Sequence, residues 1–247
     1  MTGKTPRKKS STRRARSKSA AAARTALDVL FCDNHLLVVR KPAGVLVQPD
    51  ETQDGTLIDM AKEYVKQRFA KKGNVYIASV HRLDRPVSGV VVFARTSKAA
   101  ARLSEQFRGR EVRKVYWALV EGTTPAEGTL RNRLVRRGRR SRVSRGASGK
   151  QAKLEFRRVA VLDDKSALVI LLHSGRHHQI RVQMSAMGHP VVGDKRYGST
   201  QPFPQRAIAL HARSISIEHP TRAETLTFQC GVDDYWPNVF PEDDGGD

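Results

Sequence analysis

A chain of 247 residues with 39% hydrophobic side chains is long enough to bury one sizeable core, and 45 basic against 24 acidic residues leave a formal net charge of +21. Such an excess calls for a polyanionic partner, nucleic acid first, and argues against an enzyme of small free nucleotides, which would not need so many cations. Two cysteines are too few for a disulfide framework and lack the paired spacing of a zinc site, no apolar run reaches the roughly 20 residues of a membrane span, and no secretory signal is visible, so a soluble cytoplasmic protein is expected.

The charge is concentrated. Residues 1–26 hold nine Lys or Arg and residues 131–153 hold ten, with no acid in either, so these two stretches carry 19 of the 21 net charges. The first reads as a disordered basic arm, since it has almost nothing to bury. Its Arg, Ser and Ala would also suit an organellar targeting peptide, but Lys8-Lys9 and the lack of an apolar face favour a nucleic-acid tail.

Folded structure is expected from Leu27, with strands at Val29–Phe31 and Leu36–Val39 parted by the turn signal Asp33-Asn34. Lys41-Pro42-Ala43-Gly44 breaks the pattern. Thr56, with Asp59 as a candidate cap partner, opens a helix whose Leu57, Met60, Ala61, Tyr64, Val65 and Phe69 recur at helical spacing. The apolar run Val90–Ala94 follows the tetrad His81-Arg82-Leu83-Asp84. A second helix is predicted over Ser97–Phe107 with Gly109 as its stop.

Val112–Val120, apolar on both faces, predicts a central strand. The basic segment 131–153 reads as a long hairpin excursion, because its ten charges cannot be buried together. Ser166–Leu172 is a further apolar strand, and Gln179–Met187 a helix ended by Gly188, with Ile180, Met184 and Met187 on one face and Arg181 in the first turn. Ser214–Ile217 and Leu226–Phe228 complete the strands, and an acidic tail spans 241–247.

Asp84 lies between Arg82 and Arg85 at a turn. From the tetrad alone, a turn carboxylate paired with Arg82 or Arg85 is a better reading than a nucleophile or acid/base held in a cleft. His177-His178, with His173 close by, has no Cys or acid at metal spacing, so no metal is expected there.

Five ordered blocks bear on these alternatives: Asp33–Gly44 (DNHLLVVRKPAG), His81–Asp84 (HRLD), Val115–Gly122 (VYWALVEG), Gly175–Arg181 (GRHHQIR) and Gly188–Gly198 (GHPVVGDKRYG). Together they resemble the RluA-type family of RNA pseudouridine synthases, over about Leu27 to Pro237. The resemblance implies an α+β catalytic domain, 27–240, with a bent, mixed and largely antiparallel sheet, flanking helices and a central cleft.

It also implies an isomerisation of uridine within transfer or ribosomal RNA, in which the bond from C1′ to N1 is cleaved, the base turns, and C1′ bonds to C5. No cofactor is implied. Asp84 matches the catalytic aspartate, Arg181 its arginine partner and Tyr116 the tyrosine that packs on the uracil and could take the C5 proton. Trp117, on the other strand face, is expected in the core.

Arg82 matches a position that in some relatives replaces the extruded base. Arg82, Arg85, Arg176, His178, Arg136, Arg137, Arg139 and Arg140 are the expected RNA-binding residues. Val87 and Gln183 stand where Thr and His are frequent in the family, and an S4-like module found in many relatives has no counterpart before Leu27. A monomer without an obligate protein partner is expected; the rival is a non-catalytic RNA-binding or ribosome-assembly factor on the same fold.

Overall fold

The computed structural model describes residues 26–52 and 54–241. The basic arm, save Ala26, and residues 242–247 of the acidic tail lie outside the described residues. The elements in chain order are strands β1 (Asp28–Cys32) and β2 (Leu36–Lys41), helix α1 (Leu57–Arg68), strands β3 (Ala78–Ser79) and β4 (Ser88–Ala94), helix α2 (Ser97–Gly109), strands β5 (Arg113–Glu121), β6 (Glu127–Arg137), β7 (Arg140–Val143), β8 (Lys150–Leu162) and β9 (Lys165–Leu172), helix α3 (Gln179–Ala186), and strands β10 (Leu210–Glu218) and β11 (Thr225–Gln229).

All strands join one sheet in the order β1-β2-β4-β10-β5-β9-β8-β6-β7, with β3 on β4 and β11 on β10. Only the pairing of β10 with β4 is parallel among the described strands. The fold is thus α+β on a mixed, mostly antiparallel sheet, as the resemblance implies. The parallel contact explains Gly89. It lies at φ +124°, and a Cβ there would sit 2.3 Å from the Ala212 carbonyl oxygen, so no larger residue fits where the two strands meet.

Strands β2 and β4 read as unbroken apolar runs because both faces are covered. Leu37, Val39, Val91 and Phe93 pack in the core that holds Leu57, Ala61 and Val65 of α1, while Leu36, Val38, Val90 and Val92 pack in the one that holds Ala99 and Leu103 of α2. The expected cap of α1 is a full capping box: the Thr56 hydroxyl accepts from Asp59 N, and the Asp59 carboxylate accepts from Thr56 N.

Three expectations are refined. Helix α2 runs through Gly109 and ends at Arg110, which takes the left-handed conformation at φ +65°; the helix-ending position falls one residue later than the glycine suggested. The basic segment extends the sheet as a hairpin arm: β8 pairs with β9 from Leu154 to Leu162, its Lys150–Arg157 part pairs with β6, and β7 adds beyond β6. Strand β10 starts at Leu210, before the alternating residues, and a register shift between Ala212 and Ser214 changes which residues face each core. Trp117 is buried and stacked on Phe240, 4.7 Å between ring centres, on the side covered by the last described segment.

Candidate active site

The His81–Val87 loop, between β3 and β4, is held in place by alternating anchors. Leu83 and Val87 are buried, Arg82 and Arg85 point out, and Asp84 lies between them with its side chain 20% exposed. His81 Nε2 accepts from Val92 N at 2.9 Å and its ring stacks on Phe107 of α2. Burial pulls His81 down to about 3, so it is a neutral acceptor that pins the start of the loop to β4. Val87, where relatives often have Thr, contributes an apolar contact to the core.

A second clamp comes from the Lys41–Gly44 turn. Lys41 is fully buried, and its ammonium donates to the carbonyl oxygens of Pro42 (2.9 Å), Val45 (2.7 Å) and Arg85 (3.1 Å). Gly44 N also donates to Arg85 O, and Arg85 Nε returns a bond to Gly44 O. All three ammonium protons are used, and one of them fixes the residue next to Asp84. Burial draws the Lys41 pKa down to about 7, with the nearby charge of Asp84 opposing it. A lone lysine in an apolar neighbourhood gave no sequence signal beyond its place before Pro42.

The third element is α3. Arg181, in its first turn, bridges two carboxylates: Nη1 donates to Asp84 Oδ2 at 2.8 Å, while Nε and Nη2 hold Asp194 Oδ2 and Oδ1 at 2.6 and 2.9 Å. Arg181 and Asp194 are almost fully buried. Their fork fixes the guanidinium so that one edge remains for Asp84, and the two carboxylates hold its pKa above the usual arginine value against the burial that would lower it. Asp194 stands in the Gly188–Gly198 block but is not singled out there, because Gly193-Asp194 carries no signal of an ion pair 13 residues away.

His178 precedes α3 in the left-handed conformation, φ +55°, a strained position for a side chain with a Cβ. Its ring stacks on His177 at 3.8 Å, and His177 Nδ1 is bonded to Ser141 Oγ on β7. The Tyr197 hydroxyl accepts from Ser141 N and lies 2.8 Å from His178 Nδ1. His178 Nδ1 thus shares a hydrogen bond with the phenol, and Nε2 lies 3.5 Å from Asp84 Oδ2. Burial holds His178 down at about 3, so it faces the aspartate as a neutral group.

Tyr116 comes from β5, where it opposes Ala212 and Ile170 on the adjacent strands. It lines the same pocket as Arg82, Asp84, Arg176, His178 and Arg181. Burial first, and the charge of Asp84 second, push its phenol above the usual tyrosine range, so it rests protonated. The pocket measures about 100 Å³. An open groove of about 870 Å³ lies elsewhere, beside Arg40 and Asp233, but those two residues are already paired at 2.5 Å.

The expected residues thus fall into three groups. Asp84, Tyr116, Arg181, Arg82, Arg176 and His178 meet in one pocket. Arg85 is tied to Asp54 at 2.8 Å, Arg136 acts electrostatically on His177, and Arg139 pairs with Glu51 at 2.6 Å. Arg137 and Arg140 oppose each other at the tip of the β6–β7 hairpin, on the other face of that arm from Arg136. Gln183, where relatives often carry His, is buried and donates to Leu130 O and Asn132 Oδ1, fastening α3 to β6.

The family described as RNA pseudouridylate synthase matches residues 35–186. The dual-specificity RNA pseudouridine synthase RluA of Escherichia coli (strain K12) is 37% identical over 218 residues, covering 84% of this chain and 94% of that one. The ribosomal large subunit pseudouridine synthase D of Xylella fastidiosa (strain Temecula1) is 35% identical over 80% of this chain and 63% of its own. Among solved structures, human RNA pseudouridylate synthase domain containing 1 superposes with a TM-score of 0.67 at 27% identity, covering 87% of this chain and 86% of that one. Its relative, domain containing 4, reaches 0.71 at 22% identity over 84% and 89%, which shows a shared fold. The chain belongs to the RluA-type RNA pseudouridine synthases, isomerases whose substrate is uridine within RNA. Among the described residues, no helix is long and apolar enough to cross a membrane.

Proposed function

We propose that Asp84 is the group that attacks or assists at the target nucleotide, and that Arg181, itself held by Asp194, keeps it aimed. The observation that carries this is the single edge of a buried, doubly anchored guanidinium that faces Asp84 at 2.8 Å. A carboxylate so placed suits either route, bonding to C1′ or the base, or assisting elimination to a glycal. The pocket lined by Asp84, Tyr116 and Arg181 takes the uracil after it leaves the stack, and Tyr116 packs on it.

The Tyr116 phenol enters protonated, so it can take the C5 proton only after passing its own to a base in the pocket, for which the Asp84 carboxylate is the candidate. Neutral His178 hydrogen-bonds the pocket's contents through Nε2 rather than contributing a cation. Arg82 fills the space the base vacates, while Arg85, Arg136, Arg139 and Arg176 take flanking phosphates. The basic arm, residues 1–26, adds sequence-independent affinity.

Both transfer and ribosomal RNA are proposed substrates, since relatives include a dual-specificity synthase and a ribosomal large subunit synthase. The free Cys32 and Cys230 suit a reducing cytoplasm, and the enzyme works there as a monomer. The test is to treat total RNA from a strain lacking this protein with wild type or Asp84→Asn and map pseudouridine at single-nucleotide resolution. Sites made by wild type alone identify the substrate and the aspartate together. Tight RNA binding by folded protein with no site formed would instead favour a non-catalytic RNA-binding factor.

A further inference from the structure

The three strands β6, β7 and β8 make an arm whose two faces differ in chemistry. Directly opposed residues of an antiparallel pair share a face. The registers Arg131↔Lys153, Arg133↔Gln151, Val135↔Arg142 and Arg137↔Arg140 therefore gather Arg131, Arg133, Arg137, Arg140, Arg142 and Lys153 on one side. The intervening residues form the other side, and they are the ones that meet α3 and its approach. Asn132 accepts from Gln183 at 2.7 Å, Ser141 bonds His177 at 2.9 Å, and Leu134 and Ala152 pack on Val182. Because α3 carries Arg181, the cleft belongs to that second side. The arginine face looks away from it.

This outer face is short of counter-charge. Arg131, Arg137, Arg140 and Arg142 are exposed, and none makes an ion pair or side-chain hydrogen bond among the described residues. Arg133 donates to Gly149 O at 3.1 Å, and Lys153 is paired with Glu155 at 2.6 Å. Arg137 and Arg140 stand directly opposite one another, an arrangement that costs energy unless an anion lies across it. Residues two apart on a strand are about 6.7 Å apart and adjacent strands about 4.8 Å, so the guanidinium groups form a two-dimensional array on a flat support rather than one pocket. A surface built for solubility alone would intersperse both signs. Glu127 and Glu155 share this face at its base, but from Arg131 to the hairpin tip it is one-signed, and such an array of forked donors fits a phosphate backbone.

We propose that the outer face of the β6–β7–β8 arm binds the backbone of a second RNA segment, one that does not enter the cleft. The proposal rests on the RNA synthase reading above. It makes the arm a two-sided element, with Arg136 and Arg139 serving nucleotides near the target and the outer arginines serving a distant part of the same molecule. Affinity for a whole folded RNA then exceeds affinity for the excised target loop.

The experiment uses the full-length chain and the RNA in which wild type forms pseudouridine, supplied as the complete molecule and as the isolated stem-loop around the same uridine. The triple variant Arg131→Gln, Arg133→Gln, Arg142→Gln is compared with wild type, and the double variant Arg131→Gln, Arg142→Gln replaces it if thermal unfolding shows the triple to be misfolded. For the complete RNA, KM and Kd should rise about tenfold or more, and the slope of log affinity against log salt should shrink by about 2 to 3 for three lost phosphate contacts. Values for the stem-loop and the saturated turnover rate should stay at wild type. Unchanged affinity for the complete RNA overturns the proposal, and so does equal weakening with both RNAs, which would assign these arginines to the cleft. If wild type forms no pseudouridine in any RNA, the synthase reading itself fails, a result separate from an active wild type whose affinity the substitutions leave alone.

Discussion

At the scale of single residues, the site is a line of charges, Asp84–Arg181–Asp194, in which only the outermost carboxylate reaches the pocket. Asp194 touches no substrate position; its work is to use two of the guanidinium's donor edges so that the third is fixed. Asp194→Ala leaves a buried arginine half unpaired, which should cost about 3–5 kcal/mol of stability in urea unfolding and lower kcat more than it raises KM. Tyr116 offers a second test at this scale. Tyr116→Phe keeps the ring and should bind RNA as wild type does, while turnover falls and the isotope effect with C5-deuterated uridine grows; an unchanged isotope effect and rate would make the phenol a packing group only.

At the scale of elements, the pocket is the meeting of three otherwise distant pieces: the His81–Val87 loop, the start of α3 and the Lys41–Gly44 turn. Lys41 joins the last of these to the first. Lys41→Met takes a donor from the carbonyls of Pro42, Val45 and Arg85, the last of which keeps only Gly44 N, and should destabilise the protein by roughly 2–4 kcal/mol with a loss of turnover, as measured by urea unfolding and single-turnover kinetics. The central strands and the helices were legible in the sequence because their periodicity is strong: β2, β4 and β5 as continuous apolar runs, α1 by its spacing and Thr56 cap. The ordered motif blocks likewise brought Asp84, Tyr116 and Arg181 together. What the sequence withheld are long-range polar pairings. The bond from Lys41 to Arg85 spans 44 positions and that from Tyr197 to Ser141 spans 56, and neither leaves a trace in local pattern. The basic segment is less legible for a related reason, since strands solvated on one face and rich in arginine lack the apolar alternation by which β6 and β8 would be seen in full.

At the scale of the molecule, three buried neutral histidines tie the sheet to the site: His81 near 3, His178 near 3 and His211 near 4, each lowered chiefly by burial. In the unfolded chain they take up protons near 6.5, so between about 6.5 and 4 the unfolded state binds protons that the native state refuses. Their contribution to stability is therefore complete above pH 6.5 and is lost as pH falls, at up to about 1.4 kcal/mol per pH unit for each group. Urea unfolding from pH 7.5 to 4.5 should show a falling midpoint, and replacing His211, whose ring bonds Ser88 and the Cys230 carbonyl, with Gln should flatten that fall while lowering stability at pH 7.5. The charge pattern adds a second global property: nearly all the net excess lies in the N-terminal segment and the β6–β8 arm, leaving the body around the cleft close to balance, so salt acts on RNA affinity far more than on the fold. The most direct test of the whole account is a single-turnover comparison of wild type and Asp84→Asn on the RNA that wild type modifies, with binding measured separately. An affinity within about threefold of wild type, together with conversion reduced at least about a thousandfold, is the predicted result. Conversion within tenfold of wild type would contradict it, because the residue held by Arg181 would then not be the one that performs the chemistry.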